Sequence, residues 1–192
     1  FAAPTGAIFV LVGVTLCAML LEGASMDWSA IYMRNLYNPG PFLTGFAVTV
    51  FAFSQATTRY FADAFVERHS PKGVARTLLV ILFVGTLVVY FSPWPWLSLV
   101  GFAALGVGTS AIFPLAMSAA AQRSDRPAAI NVAALAQTSF VVFLLAPPAL
   151  GFVAEHLGIR WSFGIGLPLI VLSFALAGVL GSRPVPHEAP AE

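Results

Sequence analysis

Residues 77–122 read TLLVILFVGTLVVYFSPWPWLSLVGFAALGVGTSAIFPLAMSAAAQ, and none of them is Asp, Glu, Lys or Arg. A helix that crosses the hydrocarbon core of a bilayer, about 30 Å thick, needs about 20 mostly apolar residues. The 46 residues from 77 to 122 are therefore too many for one span. Proline ends helices and tryptophan suits the headgroup level, so the segment Ser92-Pro-Trp-Pro-Trp96 marks a turn. The stretch predicts two membrane helices joined at that turn.

The rest of the chain has the same apolar character. Hydrophobic residues make up 59% of the 192 residues and charged residues only 9%, against about a quarter in soluble domains. Further windows without Asp, Glu, Lys or Arg cover 1–21, 35–58, 127–154 and 161–182. We therefore predict an all-α membrane protein, with one six-helix transmembrane domain over 1–182 and a polar tail over 183–192. The predicted helices lie near 5–33, 42–66, 75–92, 96–121, 128–154 and 161–181.

Basic residues are distributed unevenly between the two sides of this map. If the first helix runs outward from the cytoplasm, the cytoplasmic side carries Arg59, Arg68, Lys72, Arg76, Arg123, Arg126 and Arg183. The outer side carries Arg34 and Arg160. Seven residues against two favour this orientation, because cytoplasmic loops are enriched in Lys and Arg. The chain begins at Phe1 without the features of a signal peptide, so we expect it to be a piece of a longer protein.

The sequence argues against several classes of protein. The single Cys17 cannot form a disulfide within the chain, and no His or carboxylate cluster has metal-ligand spacing. An intramembrane serine protease needs a histidine inside the membrane, but all three histidines fall in predicted connections or the tail. A net charge of +1 argues against nucleic acid as a partner. We therefore expect no enzymatic activity, no metal and no cofactor.

Two short segments suggest an internal repeat. Arg59-Tyr-Phe-Ala-Asp63 ends the second predicted span, and Gly151-Phe-Val-Ala-Glu155 ends the fifth. The acids Asp63 and Glu155 are 92 residues apart (155 minus 63), which is an offset of three spans. An odd number of spans places equivalent residues on opposite sides of the membrane, as an inverted three-plus-three repeat requires.

Three segments carry a resemblance to a known family: Glu22-Gly-Ala-Ser-Met-Asp-Trp-Ser-Ala-Ile-Tyr32, Arg59-Tyr-Phe-Ala-Asp63 with Arg68, and Ala146-Pro-Pro-Ala-Leu-Gly-Phe-Val-Ala-Glu-His-Leu-Gly-Ile-Arg160. With them, the sequence resembles over its whole length the C-terminal half of a fucose-permease-like transporter of the major facilitator superfamily. The cytoplasmic signature of the family is Gly-x-x-x-Asp-basic-x-Gly-x-basic. This sequence keeps Asp63 and Arg68, but it has Arg59, Ala64 and Val66 at the other three positions.

The resemblance implies secondary active transport of a small solute by alternating access. The solute would be a sugar, another metabolite or an exported drug, and a proton is a candidate coupling ion. The partners implied are the lipid bilayer and a missing N-terminal six-helix half of the same polypeptide. The expected location is the bacterial inner membrane, which the protein would cross several times.

Glu22 is the first candidate for the transport site, because it follows a long apolar run. A carboxylate inside the membrane is costly, so a buried acid is neutral, paired or facing a watery cavity. Glu22 is therefore a candidate substrate or proton site; the alternative is an early helix end that leaves it at the interface. We expect Asp27 at the outer surface, paired with Arg34. Trp28 and Tyr32 share one face and fit an interfacial belt better than a stacking platform.

The second span carries a further set of candidates. Gln55 and Arg59 are four residues apart and share a helix face, as do Arg59 and Asp63. Lipid cannot satisfy the amide of Gln55 at mid-membrane, so Gln55 must face protein, either to bind substrate or to join helices. Arg59 and Asp63, with Arg68, are candidates for a cytoplasmic gate.

Later spans add weaker candidates. Gln137 and, nearer the start of the fifth span, Asn131 are candidate substrate contacts. We interpret the segment Gly106-Val-Gly-Thr-Ser110, followed by Pro114, as small residues for close helix packing; the alternative is a local break whose freed carbonyls line a cavity. The function that competes with transport is a structural or channel-like six-helix subunit, or a fragment without function.

Overall fold

The structure, a computed structural model, describes residues 2–181 except for the side chain of Asp63. The predicted tail at 183–192 lies outside the described residues. Every regular element within 2–181 is helical: α1 (Gly6–Tyr37), α2 (Pro41–Arg68), α3 (Pro71–Phe91), α4 (Pro95–Thr109), α5 (Ile112–Ala121), α6 (Ala128–Leu157), α7 (Trp161–Gly164), α8 (Gly166–Leu176) and a 3₁₀ turn (Ala177–Leu180).

Five segments of the described chain are long and apolar enough to cross a membrane. They are Gly6–Tyr37, Pro71–Phe91, Pro95–Ala121, Ala128–Leu157 and Trp161–Leu180. The second predicted span corresponds to α2, which has 28 residues and sufficient length. Its threonines and Gln55 make it more polar than the other five segments, so hydropathy alone does not assign it to the membrane.

Local sequence determines where the helices begin and end. Thr5 caps α1, accepting a hydrogen bond from the Ile8 amide at 3.4 Å, and Ser70 caps α3 in the same way at 3.1 Å from the Gly73 amide. Proline occupies the first position of α2, α3 and α4, where its missing N–H costs nothing. Asn38, with φ of 44°, ends α1 in the left-handed region. These caps carry α1 to Tyr37 rather than to residue 33.

The core forms around α1, which packs against α2, α4, α5, α6 and α8. One aromatic cluster joins α1 to α4 and α7, because the rings of Tyr32, Phe102 and Phe163 meet edge to face with centroids 5.4–5.6 Å apart. Tyr32 is fully buried, and its hydroxyl donates to the Val89 carbonyl. The predicted interfacial belt is therefore wrong for Tyr32, since its face meets neighbouring helices instead of the headgroup layer.

Glycines allow α4 to approach two other helices closely. A Cβ placed at Gly108 would meet the Leu82 Cβ of α3 at 2.5 Å. A Cβ at Gly106 would overlap the Ser54 hydroxyl and the Phe51 carbonyl of α2, and would lie 3.0 Å from the backbone nitrogen of Gln55. Such small-residue contacts let membrane helices gain van der Waals packing that lipid does not offer. Consequently α2 and α3 both pack extensively on α4, although they scarcely touch each other.

The α2–α4 contact is tested by the substitution Gly106→Ala. The added methyl group has no space, so we expect the free energy of unfolding to fall by about 1–3 kcal/mol, as is usual for overpacking. Denaturant titration of the protein in detergent micelles measures this. Gly45→Ala is the matched control, because it lies on α2 with nothing within 4 Å of the new Cβ. Equal stabilities for the two variants would contradict the described packing.

Candidate functional site

Polar side chains from α1, α2 and α4 meet inside the helix bundle. The Glu22 carboxyl of α1 lies near the side-chain amide of Gln55 of α2 and interacts with it. Gln55 Nε2 also donates to Thr109 Oγ1 of α4 at 3.2 Å. Thr109 is 1% exposed, whereas Glu22 and Gln55 are half-buried. The structure thus brings two of the predicted site residues together, with Thr109 as a third member.

Three residues, Glu22, Gln55 and Thr109, lie at about the same depth in the helix bundle. At about 1.5 Å per residue, Glu22 is about 22 Å from the Tyr37 end of α1 and Gln55 about 21 Å from the Pro41 end of α2. Thr109 is about 21 Å from the Pro95 end of α4. All three helix ends lie on the same side of the bundle, because α1 connects directly to α2 and α3 to α4. The cluster therefore lies well inside an apolar layer about 30 Å thick.

The membrane-length helix formed by α4 and α5 is interrupted at this depth, between Thr109 and Ile112. Pro114 has no N–H with which to donate to the carbonyl four residues earlier, so the Ser110 carbonyl loses its helical partner. Arg59 Nε of α2 donates to that carbonyl at 2.9 Å. The segment therefore contains both the close packing expected at Gly106 and Gly108 and the helix break that was its alternative, and the partner of the freed carbonyl is a guanidinium.

Arg59 connects this break to the Glu22 cluster. The Arg59 guanidinium attracts the Glu22 carboxylate electrostatically across the site. On its other side, Arg59 borders a small cavity of about 330 Å³, which Pro114, Leu115 and Ser118 also line. The polar side chains that line this cavity are those of Arg59 and Ser118, whereas Glu22, Gln55 and Thr109 lie outside its lining.

Two other predicted site residues lie elsewhere on α6. Gln137 Oε1 accepts a hydrogen bond from the Ala2 amide at 3.2 Å. Asn131 is buried in the first turn of α6, where its Nδ2 donates to Asp125 Oδ1 at 3.0 Å. Asp125 in turn pairs with Arg123 at 3.2 Å. Asn131 therefore organises the connection between α5 and α6, and within the described residues no hydrogen bond joins it or Gln137 to Glu22.

The predictions for charged residues near the two membrane surfaces agree with the structure to different extents. Asp27 and Arg34 are both exposed, and no ion pair joins them within the described chain, so the predicted pair is not formed. Arg68 is exposed in the last turn of α2. Asp63 belongs to α2, but its side chain is outside the described part of the structure, so its predicted contact with Arg59 stays a prediction.

Sequence reasoning did not single out two site neighbours. Thr109 joins the cluster through Gln55, and Ser25 follows Glu22 by three residues on α1. The Ser25 hydroxyl is fully buried and has no hydrogen-bond partner among the described residues. The sequence contained one signal for Thr109: it lies as far from the start of α4 as Gln55 lies from the start of α2. Across residues 2–181, no group of three His, Cys, Asp or Glu side chains is placed to hold a metal ion.

The chain matches the Major Facilitator Superfamily over residues 9–192. It belongs to that superfamily. It is 30% identical over 177 residues to an uncharacterized transporter of Sinorhizobium fredii, a match that covers 92% of this chain and 47% of the relative. It is 25% identical over 175 residues to an uncharacterized MFS-type transporter of Yersinia pestis, a match that covers 91% of this chain and 45% of that relative. A membrane protein of Rhizobium meliloti is 22% identical over 141 residues, covering 73% and 35%.

Family membership and the apolar helices make this superfamily member an integral, multi-pass membrane protein. The family and its relatives support a role in membrane transport. The chain spans about half the length of the first two relatives.

A double-mutant cycle tests the Arg59–Ser110 hydrogen bond. Arg59→Gln leaves the Ser110 carbonyl without its donor, so we expect a loss of about 1 kcal/mol in unfolding free energy. In a Pro114→Ala background the helix regains an N–H for that carbonyl, and Arg59→Gln should then cost clearly less. Denaturant titration in micelles gives all four stabilities. Arg34→Gln, at an exposed arginine of α1, should be unaffected by the Pro114→Ala background; additive effects at Arg59 would refute the bond.

The Asn131–Asp125 contact makes a prediction about pH. The hydrogen bond from Asn131, assisted by Arg123, holds the pKa of Asp125 below its usual range. A lowered pKa means that the carboxylate stabilises the folded state above the unfolded pKa, about 4, and that this contribution is lost as pH falls through the folded pKa. Asp125→Asn should therefore lower the Tm at pH 7, and its difference from wild type should close below about pH 4.

Thermal unfolding of the detergent-solubilised protein from pH 7 to pH 3 measures this difference. Asp27→Asn is the control, because it neutralises an exposed carboxylate that has no ion pair in the described chain. A pH-independent gap between wild type and Asp125→Asn would mean that the carboxylate charge is not what stabilises the connection.

Proposed function

We propose that this chain is the C-terminal six-helix half of a secondary transporter, fucose-permease-like in type, with Glu22 as its substrate or proton site. The observation that carries the proposal is the Glu22–Gln55–Thr109 cluster beside the Arg59-capped break in α4–α5. Ionisable and amide groups at membrane depth are costly, which makes such a cluster a functional site by default. The coverage of 47% and 45% of two relatives supports a missing half of similar size.

The proposal makes α2 the sixth span. Gln55 reaches the depth of Glu22 and Thr109 only if α2 runs alongside α1 and α4, and both of those helices belong to membrane-length apolar segments. The greater polarity of α2 then has a function, since its Gln55 and Arg59 face the pathway rather than lipid. In this arrangement α1, α2 and α3 form the first triplet, and α4–α5, α6 and α7–α8 form the second.

An inverted relation between the triplets is part of the proposal. It is supported by the paired segments Arg59–Asp63 in α2 and Gly151–Glu155 in α6, which end equivalent spans on opposite sides. Alternating access would arise as this half rocks against the missing half around a site near the membrane midplane. Arg59, Asp63 and Arg68 on the cytoplasmic part of α2 are the proposed gate, and the bacterial inner membrane is the proposed location.

Glu22 connects ligand binding to the broken helix through Arg59. While the carboxylate is charged, it attracts the guanidinium that also holds the Ser110 carbonyl. Uptake of a proton, or of a hydrogen-bond donor from the solute, removes or screens that attraction. Arg59 is then held by Ser110 alone, and α2 gains freedom to move relative to α4–α5. A proton carried on Glu22 would in this way bias the two states of the transporter.

The side chains around Glu22 favour a small polar solute. Gln55 and Thr109 offer an amide and a hydroxyl, and Ser25 adds a buried hydroxyl without a partner in the described structure. Unfilled hydrogen-bonding capacity of this kind suits a ligand with several hydroxyl groups, such as a sugar. Gln137 and Asn131 of α6 are proposed as further contacts made when the full pathway assembles.

The substitution Glu22→Gln tests the proposed role. The full-length protein is placed in proteoliposomes, and a panel of sugars and other metabolites is screened for accumulation driven by an imposed pH gradient. For the accumulated solute, Glu22→Gln should reduce gradient-driven accumulation at least tenfold while solute exchange without a gradient persists. The reason is that the amide keeps hydrogen bonding but carries no exchangeable proton.

Asp27→Asn is the matched control on the same helix, because Asp27 is exposed and lies outside the cluster. It should retain both accumulation and exchange. Unchanged accumulation in Glu22→Gln would remove Glu22 from the transport site. Absence of uptake for every solute in the wild-type protein would favour a structural or channel-like subunit.

A further inference from the structure

A cleft separates α2 from α3, and neither Glu22, Gln55 nor Thr109 lines it. The two helices diverge because both pack on α4 and scarcely on each other, and Val107 of α4 lines the cleft between them. Its volume is about 780 Å³, which falls within the range of about 300–1,000 Å³ found for ligand sites. Of the residues assigned to the proposed transport cycle, Arg68 of the gate lines this space.

The deep part of the cleft presents an apolar surface. Phe65 of α2 and Leu78 and Ile81 of α3 supply its walls. The hydroxyls that line it are already satisfied within their own helices: Thr58 donates to the Ser54 carbonyl at 2.8 Å and Thr77 to the Gly73 carbonyl at 3.1 Å. A ligand in this part therefore meets methyl and ring carbons, which suit a hydrocarbon chain.

One end of the cleft has the opposite chemistry. Arg68 and His69, at the end of α2, line the cleft where the chain turns toward Ser70 and α3. His69 Nδ1 lies 3.2 Å from the Phe65 carbonyl, and no partner is described for its other ring nitrogen. Lys72 lies in the first turn of α3 and adds positive charge to the same connection. This end can attract and hydrogen-bond an anion.

The length of the cleft matches half of a bilayer. Thr58 and Arg68 are ten residues apart on α2, a distance of about 15 Å along the helix axis. That is about half of a 30 Å hydrocarbon core, which is one leaflet. A soluble ligand does not need an apolar slot of this length that ends in a cation at the headgroup level, whereas a lipid has this shape and polarity.

We propose that the α2–α3 cleft binds an anionic phospholipid of the cytoplasmic leaflet, with an acyl chain between the helices and the phosphate at Arg68 and His69. The assignment to the cytoplasmic leaflet rests on the membrane orientation in the proposed function. The lipid fills the gap that α2 and α3 leave on α4, and it thereby supports the helix that carries Gln55 and Arg59. Basic residues near an anionic leaflet contribute about fivefold each in affinity.

Native mass spectrometry of the delipidated full-length protein tests the proposal, with phosphatidylglycerol and phosphatidylcholine of identical acyl chains as probes. We expect one phosphatidylglycerol to bind at least fivefold more tightly than phosphatidylcholine. Arg68→Gln should remove about fivefold of that preference without weakening phosphatidylcholine, whereas Arg34→Gln, at an exposed position on the opposite side of the bundle and outside the cleft, should change it less than twofold. Equal binding of the two lipids, or equal effects of the two substitutions, would overturn the proposal.

The apolar slot is tested separately. Thr77→Trp fills the cleft and should abolish the tight site, whereas Val80→Trp, on an exposed position of α3 outside the cleft, should preserve it. Independently of any variant, photoactivatable phosphatidylglycerol should cross-link to peptides of α2 and α3; cross-links confined to other helices would refute the site. Glu22→Gln should bind the lipid as wild type does, so failure of the transport proposal and failure of the lipid proposal are separable.

Discussion

The hydrogen bond from Arg59 to the Ser110 carbonyl joins α2 to the interrupted helix formed by α4 and α5. Pro114 cannot provide the helical N–H, and lipid offers no donor, so an unpaired carbonyl at this depth would cost about 1–3 kcal/mol. The donor must therefore come from another helix, and α2 supplies it through Arg59, a residue that is otherwise exposed. This requirement accounts for one of the polar residues that make α2 the least apolar of the long helices. The interruption between α4 and α5, the arginine at position 59 and the polar character of α2 therefore belong together.

The same constraint operates wherever a polar group enters the bundle. The Ser54 hydroxyl of α2 donates to the Ala103 carbonyl of α4 at 2.9 Å, and Thr15 of α1 meets Ser139 of α6 at 3.3 Å. At the end of the bundle where α3 turns into α4, Arg160 donates to the carbonyls of Tyr90 and Ser92 at 2.7 and 2.8 Å, which ties the start of α7 to the end of α3. Each bond joins two helices, so the polar groups determine which helices are neighbours.

Hydropathy and proline positions were sufficient to predict much of this architecture. Long windows without charge predicted six membrane segments, because the bilayer excludes unpaired charge, and five of them are long and apolar enough in the described chain. Tyr32 was misplaced because its spacing from Trp28 reports a shared helix face but not whether that face meets lipid or Phe102. Thr109 was missed because the sequence contains many threonines, and only the three-dimensional depth of α4 brings this one to Gln55. Asp27 and Arg34 failed to pair although they lie two turns apart on one helix, since both remain exposed.

The tight α3–α4 contact also has a consequence for the order of assembly. Leu82 meets Gly108 across a short turn, so the two helices form a hairpin whose contacts are local in the chain, and local contacts form fastest. By contrast, the Ser173 hydroxyl of α8 donates to the Gly13 carbonyl of α1 at 3.1 Å across 160 residues. Closure of α1 against α8 must wait until α8 has been synthesised. The α3–α4 hairpin can therefore form before that closure, and α4 in turn carries the contact with α2.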